Sequence, residues 1–169
     1  MLRAFLPALL LASLTTSALA QTLVVTGAEG QNIALNAADF AALPRESVTL
    51  VAHGQTRVYE GPLLIDILAK VGAPTGKSLR GPALAQVVLV EAADGYAVAM
   101  GLAESDPGTR AHRVILADKA DGAPLSAAEG PVRLVVEGDL RPARSARMVH
   151  KISILQLKSD RSSGTPHRR

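Results

Sequence analysis

Beyond residue 21 the apolar residues of this chain come in short runs, each cut off by a glycine, an Asp-Gly pair or a proline. Such punctuation leaves room for hairpins and brief helices and for no long helix. Thr22 to Thr26 and Gln31 to Leu35 flank Gly27-Ala28-Glu29-Gly30 and read as a hairpin with a glycine-bearing loop. Ser47 to Ala52 and Thr56 to Tyr59 flank His53-Gly54-Gln55 in the same way. Gln86 to Glu91 and Tyr96 to Met100 lie across Ala92-Ala93-Asp94-Gly95, where the Asp-Gly pair is a strong turn signal. Val114 to Ala117, Val132 to Val136 and Met148 to Leu157 bring the total to about nine strands, with Asp121-Gly122 and Gly138-Asp139 as turns.

Two helices interrupt the strands. Asn36 is placed to cap a short one over Ala37 to Leu43, which Pro44 forbids from continuing. Gly61-Pro62 introduces the second, with Pro62 at the first helical position, Leu63, Leu64, Ile67, Leu68 and Val71 on one face, and Gly72 as the stop. Pro74 to Pro82 offers little core material, and Leu102 to Asp106 suits a single helical turn. Strands and helices do not alternate regularly, so the pattern predicts one α+β domain, mostly antiparallel sheet with two short helices.

The N-terminus reads as a secretory signal peptide over residues 1–20: Arg3, an apolar run from Ala4 to Leu14, then the small-residue exit Ala18-Leu19-Ala20. Pro7 and Thr15 break the run well short of the ~20 apolar residues of a spanning helix. The expected product is a periplasmic or secreted domain over residues 21–157, with no membrane span after cleavage. Lys158 to Arg169 form a basic tail with nothing to bury, expected to be disordered. The net charge of +3 resides largely there, so the body is close to neutral.

Cysteine is absent, so no thiolate is available for metal or nucleophilic chemistry even in a compartment that permits disulfides. With two Phe, two Tyr and no Trp there is no stacking platform for single-stranded nucleic acid. His53, His112, His150 and His167 stand far apart, without the spacing that places two imidazoles on one helical face. The phosphate-loop and dinucleotide glycine patterns are missing, and Ser126 lacks the glycine-flanked elbow of a serine nucleophile. Asp94, Asp118, Asp121 and Asp139 fall in turns, where aspartate bonds its own backbone. One cluster stands out: Arg133 in a strand, then Arg141, Arg144 and Arg147 around Pro142 in an irregular stretch. Guanidinium forks at that density suit a phosphate, sulfate or carboxylate, or else form a hydrated basic loop.

The order of the signals carries a further reading. Gly61-Pro62-Leu63-Leu64-Ile65-Asp66-Ile67-Leu68, then Asp94-Gly95-Tyr96, Val114-Ile115-Leu116-Ala117, Asp121-Gly122-Ala123-Pro124-Leu125 and Gly130-Pro131-Val132-Arg133-Leu134-Val135-Val136 follow one another. The series resembles the sulfite-oxidase-like molybdopterin-binding oxidoreductases over roughly Leu23 to Leu157. That resemblance implies a sulfite-oxidase-type fold whose fuller members bind a molybdenum-pyranopterin and move oxygen atoms or electrons at the metal. In the family a cysteine holds the metal within a T-L-x-C-x-G-like run. The similar run here is Thr49-Leu50-Val51-Ala52-His53-Gly54, which puts Ala52 in the cysteine's place. Glu137 likewise stands where a proline is common.

The resemblance thus implies a domain that keeps the pocket and lacks the thiolate. No cofactor is expected, with molybdopterin as the family's alternative. His53, Asp94, Tyr96, Arg133, Arg141, Arg144 and Arg147 are the expected pocket residues for a small anionic ligand. The expected partners are that ligand or a periplasmic or membrane sensor protein. A molybdopterin-dependent oxidoreductase without protein thiolate ligation is the alternative function.

Overall fold

The structure is a computed structural model describing residues 22–52 and 54–158. The expected leader, His53 and the tail beyond Lys158 lie outside the described residues. Eleven strands and two α-helices are present among the described residues. β1 (Leu23–Thr26) and β2 (Asn32–Leu35) form the first hairpin, followed by α1 (Ala37–Ala41). The Asn36 side chain accepts from the amides of Ala38 and Asp39, and the Asp39 carboxylate accepts from the Asn36 amide. This reciprocal cap satisfies donors that a helix start otherwise leaves open, and so fixes where α1 begins.

β3 (Glu46–Ala52) and β4 (Gln55–Gly61) make the second hairpin. α2 (Leu64–Ala69) then starts two residues later than the Gly-Pro pair suggests. Leu63 is held instead in a bridge to Ile115, and the Pro62 carbonyl accepts from the Leu116 amide, so tertiary pairing overrides the local start signal. Gly61 allows that approach: a Cβ there would lie 1.9 Å from the Leu116 carbonyl oxygen. β5 (Gln86–Ala92) and β6 (Ala97–Gly101) follow as the third hairpin. β7 (Val114–Ala117), β8 (Lys119–Ala120), β9 (Ala123–Pro124), β10 (Arg133–Val136) and β11 (Val149–Gln156) complete the chain. β8 and β9 are two-residue strands about Asp121 and Gly122, both at positive φ. They are too short to leave an alternation in the sequence. Pro74 to Pro82 contributes more than punctuation, since Leu79 is buried in the core.

The strands form three sheets, ordered β2-β1-β11-β5-β6, β3-β4-β8-β9 and β10-β7. All pairings are antiparallel except β1 with β11. The β10-β7 ribbon is the middle layer, because all its residues are buried. Its Val114, Leu116, Leu134 and Val136 pack into the large core with α2 and the five-stranded sheet. Ile115, Ala117 and Val135 join Val48, Leu50 and Tyr59 in a second core under the β3-β4 hairpin. A strand with both faces covered reads as a continuous apolar run, as Val114-Ile115-Leu116-Ala117 does. On the β10 face that carries Val135, Arg133 enters the second core region as a charge only 4% exposed.

Candidate functional site

A guanidinium that deep must be paired or it would strongly destabilise the fold. Arg133 Nη1 donates to Tyr59 Oη at 2.9 Å and to the Glu129 carboxylate. From the other side Arg57 Nη1 donates to the second Glu129 oxygen at 2.9 Å, and Tyr59 Oη bonds Glu129 at 3.1 Å. The two guanidinium carbons stand 4.9 Å (Arg133) and 5.3 Å (Arg57) from the Tyr59 ring centroid, within cation–π range. Glu129 is therefore the hub of a network built from β4, β10 and the turn before β10. Burial alone would raise its carboxyl, but the hydrogen bonds from Arg57 and Tyr59 and the Arg133 charge outweigh burial and hold it below the usual carboxylate range. The Tyr59 phenol is pushed up by burial, with Arg133 acting against the shift. Arg133 Nε remains buried with no hydrogen-bond partner among the described residues.

Above this network an open groove of about 530 Å³ runs between the end of β3, with Val51 and Ala52, and the segment from Leu140 to Arg147. Arg133 reaches it from β10. A smaller recess of about 90 Å³ continues toward Arg57, Tyr59, Glu129 and Gln55, sharing Ala52, Arg133 and Arg147 with the groove. The apolar crevice by Leu23, Phe40 and Val132 is only about 70 Å³, and its one carboxylate, Asp118, is already paired with Arg45.

The four clustered arginines play different parts. Arg141 and Arg147 line the groove, are exposed, and make no side-chain hydrogen bond or ion pair among the described residues. Arg144 instead grips Asp139 through two hydrogen bonds, at 2.9 and 2.7 Å, and Glu104 at 2.7 Å. Those bonds hold its guanidinium charged well beyond any working pH and tie the loop to the turn after β6. Asp94 closes its own turn by accepting from the Tyr96 amide at 2.9 Å, and neither residue lines the groove. The Tyr96 hydroxyl donates to the Ala143 carbonyl at 2.8 Å, supporting the groove wall from behind. His53 lies outside the described residues.

Two features escaped the sequence reading. Glu129 gave no signal beyond its four-residue spacing to Arg133, which sits in a turn and a strand and not in a helix. The turn aspartates do more than bond their own backbone: Asp118 pairs with Arg45, Asp121 with Arg57 and Asp139 with Arg144. Only Asp94 keeps the purely local role.

The family model described as the oxidoreductase molybdopterin binding domain matches residues 13–163. No curated protein sequence matches the chain significantly. Among solved structures, the sulfane dehydrogenase SoxCD from Paracoccus pantotrophus is similar, with TM-score 0.62 and 18% identity. The match covers 80% of this chain and 38% of that one, so this chain spans well under half of the neighbour's length. At that identity the likeness is one of fold.

A pyranopterin would meet a divided donor set here. Arg141 and Arg147 suit its anionic phosphate. The metal half fits poorly: Ala52 carries no donor, the chain has no cysteine, and among the described residues no three His, Asp or Glu side chains converge.

Proposed function

The chain belongs to the oxidoreductase molybdopterin-binding domain family, and from that premise we propose that it is an exported, non-catalytic member that binds a small anionic ligand in the groove over Ala52. One observation carries this reading. The position at which family resemblance sets a metal-holding cysteine is occupied by Ala52, and that alanine lies in a groove whose two unpaired cations are Arg141 and Arg147. Donors remain where an anion would sit, while the soft ligand that anchors the metal is gone.

The residues divide the work as follows. Arg147 and Arg141 attract and orient the anion through charge-assisted hydrogen bonds. Arg133, fixed by Glu129 and Tyr59, supplies a rigid positive floor that needs no reorganisation on binding. Arg144, Asp139 and Tyr96 hold the loop in place. Export through the N-terminal leader sets the module in the periplasm, where the bound state would be read by a partner such as a membrane sensor.

Titrating the mature protein with inorganic sulfate and phosphate tests this. An Arg141→Ala/Arg147→Ala double variant should lose at least about tenfold in anion affinity, since a charge-assisted bond contributes about 1.5–3 kcal/mol. Unchanged affinity would remove the groove from the account. The family match itself favours a second reading, a molybdopterin-dependent oxidoreductase that holds its cofactor without a protein thiolate. Stoichiometric molybdenum and pterin in protein recovered from the periplasm would support it.

A further inference from the structure

The groove is not lined by charge alone. Leu140 is 100% exposed and Val51 60% exposed, and both lie on the groove's rim beside the unpaired arginines. Apolar side chains scattered singly over a surface are ordinary, but two large ones flanking one cationic cavity are a pattern. The smaller recess that shares Ala52, Arg133 and Arg147 with the groove is different in character. Of the three guanidiniums in its lining, Arg57 is paired with Asp121 and Glu129 and Arg133 with Glu129, so Arg147 is the cation left for a ligand, and Arg133 Nε lacks an acceptor. Ala52, Arg133 and Arg147 line both spaces, so the two lie side by side.

We propose that groove and recess form one two-chamber site for an amphiphilic organic anion, a carboxylate or sulfonate carried on an apolar body. The inner chamber, about 90 Å³, takes a compact head group and no more. The outer chamber, about 530 Å³, lies in the range of small-molecule sites, and Val51 and Leu140 cover the body there. Charge selects the head, and the apolar rim discriminates against inorganic anions, which have nothing to place on it. An uncharged apolar molecule is discriminated against in turn, because it would leave the arginines desolvated and unpaired.

This inference rests on the anion-site reading above and adds to it the class of ligand. Calorimetric titration of the mature protein with 1-octanesulfonate, inorganic sulfate and 1-octanol separates the two. Octanesulfonate is expected to bind about tenfold or more tighter than sulfate, the gain of partly covering one alkyl chain, and about tenfold or more tighter than octanol, the gain of a charge-assisted bond to Arg147. Leu140→Ser, a change at a fully exposed position, should weaken octanesulfonate about tenfold and leave sulfate unchanged. Arg147→Gln should weaken both anions. If sulfate binds as tightly as octanesulfonate, or Leu140→Ser changes neither, the amphiphile proposal is overturned while the anion site stands. If neither anion binds, both fall. If octanol matches octanesulfonate, the recess does not read charge and the two-chamber account is wrong.

Discussion

Two sets of arginines line the same two neighbouring cavities of this fold and live under opposite conditions. Buried Arg133 and the partly exposed Arg57 of β4 are both clamped on Glu129 and Tyr59, whereas Arg141 and Arg147 stand in solvent with no partner among the described residues. Removing a partner from a buried pair is costly because it leaves a charge in a medium that cannot solvate it. Removing an exposed, unpaired cation costs the fold almost nothing. On the proposed function the stability of the fold rests on the inner pair and the capture of the anion on the outer pair, and the contrast can be broken from either side.

The largest effect is expected at the hub. Glu129→Gln should lower the unfolding free energy by about 3 kcal/mol, because Arg133 is then buried without its counter-charge. Denaturant unfolding would show this as a lower midpoint at unchanged slope. A loss under about 0.5 kcal/mol would place the network among the weak surface pairs.

Next in size is the converse experiment. Arg141→Ala/Arg147→Ala should leave the unfolding free energy within about 0.5 kcal/mol of the parent while weakening anion binding at least about tenfold. Loss of stability and binding together would mean the outer arginines are structural too, and the comparison would fail.

The third is a pH dependence. Glu129 is held below the ordinary carboxylate value in the folded state, so its contribution is complete above the unfolded value of about 4.3. It is lost as pH falls through the lower folded value, when the native state must take up a proton it resists. Glu137, which burial would raise but which Arg113 holds down through its amide and side chain, adds to the same acid limb. Stability measured from pH 6 downward should fall more gently in Glu129→Gln than in the parent, from a lower plateau. Parallel curves would remove Glu129 from the acid transition.

The smallest effect concerns the loop support. Tyr96→Phe deletes one hydrogen bond, to the Ala143 carbonyl, from a half-exposed ring. About 1 kcal/mol or less of stability should go, with a severalfold loss of anion affinity as the groove wall loosens. An affinity loss equal to that of Arg147→Gln would promote Tyr96 from support to contact.

How much of this was legible beforehand follows the range of the forces involved. The three hairpins and the α1 cap were readable because glycine turns and the Asn36 box act within a few residues. α2 starts later than Pro62 suggests because a bridge from Leu63 to Ile115, far along the chain, overrides Pro62's preference for a first helical turn. Arg133, Arg141 and Arg147 were singled out by their density and by family likeness, and the fold brings all three to one groove. Arg144 has the same chemistry but is taken by Asp139 and Glu104, which no local pattern distinguishes. Asp118, Asp121 and Glu129 found Arg45 and Arg57 through tertiary folding, and those pairs lie too far apart in sequence for any motif to register. Ala52 is the reverse case: an absence, visible only because a family resemblance says what should be there.

The central claim is that the groove over Ala52 recognises an anion without holding a metal. Elemental and pterin analysis of the protein, expressed as the full chain with its proposed leader in a host that makes molybdopterin, addresses it most directly. The account predicts molybdenum far below one atom per chain, with anion binding intact in the same sample. One molybdenum per chain, with a pterin released on denaturation, would contradict it.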